Sequence, residues 1–237
     1  PGNPGASQLH VAYHKEEKKQ RKAREDGGVM QQQHREVAEA QALYAEQTGD
    51  GYQELLAEGI RYASEEDWRR AGRAYREAIA LKPDDPVAYF NLANVLSKSG
   101  HYVEGAQRYL EAKERQTVGS EYWAQATAAA FDVLKTPTCD DVAKPEWWDD
   151  EGLKARSARV MRAAPNDKGA NRMRAIVLRG QCGAWEAGPR SAAELKKAAT
   201  YYDRAAALTN APAGKTELAK LANWSRSAAE AMSMTHV

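Results

Sequence analysis

The amino-acid sequence predicts an all-α protein, an α-solenoid of helix-turn-helix repeats with capping helices, on three observations. The stretch from Tyr52 to about Gly119 states one pattern twice, 34 residues apart: Leu55 over Tyr89, Gly59 over Ala93, Tyr62 over Leu96, Trp68 over Tyr102, Ala71 over Gly105, Tyr75 over Tyr109 and Ala78 over Ala112. An internal repeat of this length marks stacked supersecondary units. Within each copy the spacing is helical, because Leu55, Gly59 and Tyr62 share one face and Ala71, Tyr75 and Ala78 another. Finally, Leu81-Lys82-Pro83 ends the first copy and Asp85-Pro86 opens the next with a cap residue and a proline at the first helical position. The small residues stand where two helices approach closely, and the aromatics fill the space beside them.

Taken in order, residues 1–30 read as a disordered or extended charged N-terminal arm. It is Gly/Pro-punctuated and polar to His14, then carries six basic and four acidic residues from Lys15 to Asp26. His10 and His14 lie four apart but lack a third ligand nearby, so no metal site is predicted. Residues 31–49 read as an N-terminal capping helix, with Val37, Ala40, Leu43 and Tyr44 on one stripe. Asp50 with Gln53 predicts a capping box. Helices are predicted near 51–64, 67–81, 86–99 and 102–115, making two well-formed repeats over 50–119.

Residues 120–212 read as two degenerate units with inserts. The third begins on register, with Trp123, Thr127 and Ala130 each 34 residues after Tyr89, Ala93 and Leu96. Its second helix is delayed to roughly 146–164 by an insert of about fourteen residues that carries Cys139, Trp147 and Trp148. The fourth opens near Lys168 and is stretched by Gly180–Pro189, which carries Trp185. Ser191 and Glu194 predict a capping box for a helix to about Leu208, closed by Ala211-Pro212. Residues 213–237 read as a C-terminal capping helix and tail, with Leu218, Leu221 and Ala222 facing inward.

At Leu55, Gly59, Tyr62, Ala71, Tyr75, Ala78 and Pro83 the chain resembles the tetratricopeptide repeat (TPR) family. The second copy departs mildly, with Leu96, Gly105 and Thr117 at three of those places. The resemblance implies a TPR-type solenoid that works by binding another protein along a concave groove lined by the first helix of each repeat. Carried over by register, that groove comprises Leu56 and Ile60 from the first repeat, and Phe90, Asn91, Asn94 and Lys98 from the second. Gln125 follows from the third unit, and Arg172 and Arg179 from the fourth. A TPR subgroup that grips chaperone C-terminal carboxylates with Lys, Asn and Arg is not implied, because Leu56, Ile60, Glu121 and Gln125 occupy four of its places and only Asn91 matches.

Composition narrows the function further. A balance of 34 basic and 33 acidic residues, net +1, argues against nucleic acid as the partner. No apolar run approaches the roughly 18–20 residues of a membrane span. Two cysteines, Cys139 and Cys182, make neither a disulfide framework nor a metal spacing, which fits a soluble, intracellular protein. The chain opens on Pro-Gly-Asn-Pro-Gly, which leaves a processed end and a cut fragment both open. No phosphate loop, nucleophile elbow or His-Glu-x-x-His motif is present, so no catalytic residue, cofactor or metal is predicted. The sequence expectation is a non-enzymatic adaptor taking a peptide or helix of a partner, an acidic segment included. The alternative is a structural subunit embedded in a larger assembly through its N-terminal arm and the insert tryptophans Trp147, Trp148 and Trp185. Charge is uneven as well: residues 120–151 hold eight acidic and two basic side chains, residues 152–204 four and twelve.

Overall fold

Helical hairpins stack one after another along the chain, each helix packing mainly on the next. The computed structural model describes residues 49–180 and 183–234. The predicted arm and N-terminal capping helix (with His10 and His14), and Cys182, lie outside the described residues. Among the described residues there are nine α-helices and no strand: α1 (Gly51–Ser64), α2 (Trp68–Leu81), α3 (Pro86–Lys98), α4 (Tyr102–Glu114), α5 (Glu121–Leu134), α6 (Asp150–Ala163), α7 (Lys168–Arg179), α8 (Ala192–Ala207) and α9 (Pro212–Met234). The first four begin and end within a residue of the sequence expectation.

Local chemistry sets these boundaries. The side chains of Asp50, Asp67, Asp85, Ser120, Asp149, Asp167 and Ser191 each accept a backbone N–H in the first turn of the helix that follows. Each such cap stabilises its helix by about 1 kcal/mol. Among the described residues only Ser191 and Glu194 form a complete capping box; Asp50 caps α1 by accepting from the Tyr52 N–H at 3.0 Å. Pro86 takes the first position of α3, where no backbone N–H is lost.

The first two hairpins close through small residues. Tyr75 is buried against Gly59, so near that a Cβ on the glycine would stand 2.4 Å from the Tyr75 ring. Gly105 likewise lies on the backbone of α3, where a Cβ would sit 3.3 Å from both the Ala93 carbonyl oxygen and the Ser97 nitrogen.

Two boundaries differ from expectation. Helix α6 begins at Asp150 rather than near 146, because Pro145 to Trp148 form a turn instead, with the Trp148 N–H bonded to the Pro145 carbonyl at 2.8 Å. Pro212, expected to close α8, opens α9. As a residue without an N–H it suits the first turn, and the Lys215 N–H already reaches the Ala211 carbonyl at 3.0 Å.

The inserts fold back onto the scaffold. A 3-10 turn, Pro137–Cys139, packs on α4 and buries Cys139. Lys144 donates to the Cys139 carbonyl. Trp148 packs on the buried Phe131 with ring centres 5.4 Å apart, and its indole N–H reaches from one insert to the Ala184 carbonyl of the other at 2.9 Å. Trp185 also packs on Phe131, at 6.0 Å, and its indole N–H donates to Asp150 at 3.2 Å. Asp150 and Arg190 complete the junction as a two-pronged ion pair, their side chains only 16% and 7% exposed. Arg190 also donates to the carbonyls of Val177 and Gly188. The Arg190 guanidinium holds the Asp150 carboxyl well below the usual carboxylate range; partial burial opposes this, and Lys154 and Trp185 reinforce it.

Two outcomes follow from this packing. Gly59→Leu should lower stability by about 1–3 kcal/mol, because the side chain enters the closest helix crossing; an unmoved melting temperature would place that crossing elsewhere. Asp150→Ala should cost about 3 kcal/mol or more by leaving Arg190 charged, buried and unpaired. Because the folded-state pKa of Asp150 is depressed, its contribution is full above the ordinary value of 3.8 and fades as pH falls below it. Acid titrations of the melting temperature should therefore show wild type and Asp150→Ala converging at low pH.

Candidate partner-binding site

Helix α3 buries Ala88, Tyr89, Leu92, Ala93, Val95 and Leu96. Val87, Phe90, Asn91, Asn94 and Lys98, at intervals of three and four, are left on the opposite face. Helix α5 buries nearly everything beyond its first turn, because it packs on α4, α6 and α7 at once. Tyr122 and Gln125 are among the side chains it leaves open. Between them the two helices form a pocket of about 180 Å³ lined by Val87, Phe90, Asn91, Gln116, Tyr122 and Gln125. Tyr122 is 68% exposed and Val87 45%, an unusual display of large apolar side chains at the mouth of one pocket.

The walls are held from behind. Phe90 meets Tyr109 edge-on, ring centres 5.4 Å apart. Burial pushes the Tyr109 hydroxyl up to about 12, so it stays protonated and donates to the Asn94 side-chain carbonyl at 2.6 Å. The Asn94 oxygen is thus occupied and its amide nitrogen is the group left to donate outward.

Of the residues assigned by register, Phe90, Asn91 and Gln125 come together in this pocket, with Asn94 and Lys98 exposed further along α3. The others are engaged within the chain. Leu56 is buried at 4% with Tyr52, Ala71 and Tyr75, which removes it from any open groove. Ile60 packs half-buried on the same cluster. Arg172 pairs with Asp132, bridging α5 and α7. Arg179 lies 5.9 Å from the Tyr202 ring and 5.6 Å from the Trp224 ring. Trp147, Trp148 and Trp185 are half-buried against the core. Sequence reasoning missed Val87 and Tyr122. Both are large residues off the buried stripe of their helices, a signal that was present in the spacing.

Among the described residues no three His, Cys, Asp or Glu side chains gather as a metal set, and no helix is long and apolar enough to cross a membrane. The architecture is that of a helical-hairpin repeat protein with an apolar pocket between the first helices of successive hairpins. The family model described as TPR repeat matches residues 59–100, from the Gly59 crossing through α3. Over this stretch the chain carries a tetratricopeptide repeat. No curated protein matches the chain.

Exposure separates site from scaffold. Tyr122→Ala should change stability by less than about 0.5 kcal/mol, whereas Phe131→Ala, at the centre of the insert junction, should cost about 3–5 kcal/mol. Equal losses in denaturant titrations would mean that Tyr122 is a packing residue.

Proposed function

We propose that this protein is a non-enzymatic interaction module that seats an apolar peptide or helical segment of a partner protein in the α3–α5 pocket. TPR repeats generally mediate protein–protein interaction; the finer assignment rests on one observation. Val87 and Tyr122 stand exposed around Phe90, with the amides of Asn91 and Gln125 at the same pocket. Apolar walls supply area, and the amides can pair a backbone that would otherwise lose its hydrogen bonds on burial. An embedded subunit touching its neighbours through the insert tryptophans is less well supported, because those side chains are used in packing the inserts.

Affinity capture with the immobilised full chain tests this reading. Partners should survive high salt, as apolar contacts do, and their retention should weaken about tenfold or more in Tyr122→Ala and in Asn91→Ala. Tyr102→Ala, an exposed aromatic outside the pocket, is the control. Equal retention by all three variants, with helical circular dichroism intact, would remove the pocket as the binding site.

A further inference from the structure

A second cluster of side chains does not line this pocket. Lys113 on α4 and Arg156 and Arg159 on α6 come within electrostatic reach of one another. Burial, and then the Arg159 charge, lower Arg156; burial lowers Lys113, with the Arg156 charge adding to it and Glu114 opposing. Both arginines lie on tryptophan. The Arg156 guanidinium is 5.5 Å from the Trp123 ring centre and 5.3 Å from that of Trp147, and Arg159 is 5.5 Å from Trp123. Trp123 itself is fully buried, so these cations form its outer cover.

What sets this cluster apart is how the neighbouring charges are spent. Asp150 serves Arg190 and Lys154, Glu194 serves Lys154, and Asp132 serves Arg172 and Lys135. Among the described residues, no carboxylate lies within ion-pair distance of Lys113, Arg156 or Arg159. Glu114 acts on Lys113 from beyond ion-pair distance; gathering like charges without a close ion-pair partner is unfavourable, and lying over tryptophan offsets part of that cost. A guanidinium held over an indole by charge–ring attraction spends no N–H hydrogen bond on it, and a guanidinium can take a carboxylate two-pronged. The arginines are one helical turn apart, about 4.5 Å along α6, so a run of acidic side chains can meet both.

We propose that the face formed by Lys113, Arg156 and Arg159 over Trp123 and Trp147 binds an acidic, Asp/Glu-rich segment of a partner protein. The near-zero net charge of the chain favours a local acidic segment over a nucleic-acid backbone, whose binding draws on a wide basic field. Lys113, Arg156 and Arg159 do not line the α3–α5 pocket.

Fluorescence anisotropy of a labelled short polyglutamate peptide with the full chain is the test, with polyglutamine of equal length as control and a short duplex oligonucleotide as competitor. Polyglutamate should bind saturably and weaken as salt rises, while polyglutamine should not bind. Arg156→Gln and Arg159→Gln should each weaken binding about tenfold. Lys113→Gln, on the other helix and not stacked on tryptophan, should weaken it in the same direction and serves if Arg156→Gln disturbs folding. Tyr122→Ala should bind polyglutamate as wild type does. The proposal is overturned if polyglutamate fails to bind at low salt, if the folded variants bind it undiminished, or if the oligonucleotide displaces it at equal charge.

Discussion

The approach of paired helices through a small residue is the constraint on which the repeat geometry depends. Tyr75 occupies the space above Gly59, and Gly105 meets the Ser97 hydroxyl and the backbone of α3. A larger residue at either place would separate two helices. In a stack each hairpin is the platform for the next, so the displacement would pass along the array. The aromatic residues depend on the same crossings: Tyr75 and Tyr109 are buried because a small partner leaves them room.

The second half meets a different demand. Both of its hairpins carry long connections, and ordering such segments costs conformational entropy that the repeat contacts do not supply. The structure offsets that cost by setting the two inserts against each other. Phe131 offers one apolar platform to Trp148 and Trp185, indole N–H groups bond across to Ala184 and Asp150, and Arg190 ties Asp150 to the end of α7. A buried ion pair alone is a weak source of net stability, since desolvation opposes it. Here the charges are nearly saturated with partners, and the pair also fixes the relative position of two segments.

These two arrangements explain where the surface is left available. In the first half the inner helices meet only through the regular repeat contact, and the apolar pocket between α3 and α5 remains open. In the second half α5 also packs on α7, and Arg172 and Arg179 are engaged within the chain. Helix α6, on the other side of the third hairpin, carries arginines that, among the described residues, have no carboxylate within ion-pair distance.

The sequence by itself determined the repeat, the helix boundaries of the first two hairpins and the caps at Asp50, Asp85 and Ser191, because these depend on contacts within a few residues or at one fixed spacing. Gly59, Asp85-Pro86 and the Ser191–Glu194 box were legible for that reason. Part of the site was legible as well: Phe90, Asn91 and Gln125 follow from register. Register assigns a face but not its neighbours, so it could not tell that Leu56 would be covered or that Arg172 would meet Asp132, forty residues earlier in the chain. The destination of Trp148 and Trp185, and the choice of Arg190 as the partner of Asp150, were decided only in the tertiary structure. Those contacts join segments of no regular spacing, and their energy comes from shared burial that no single stretch of sequence contains.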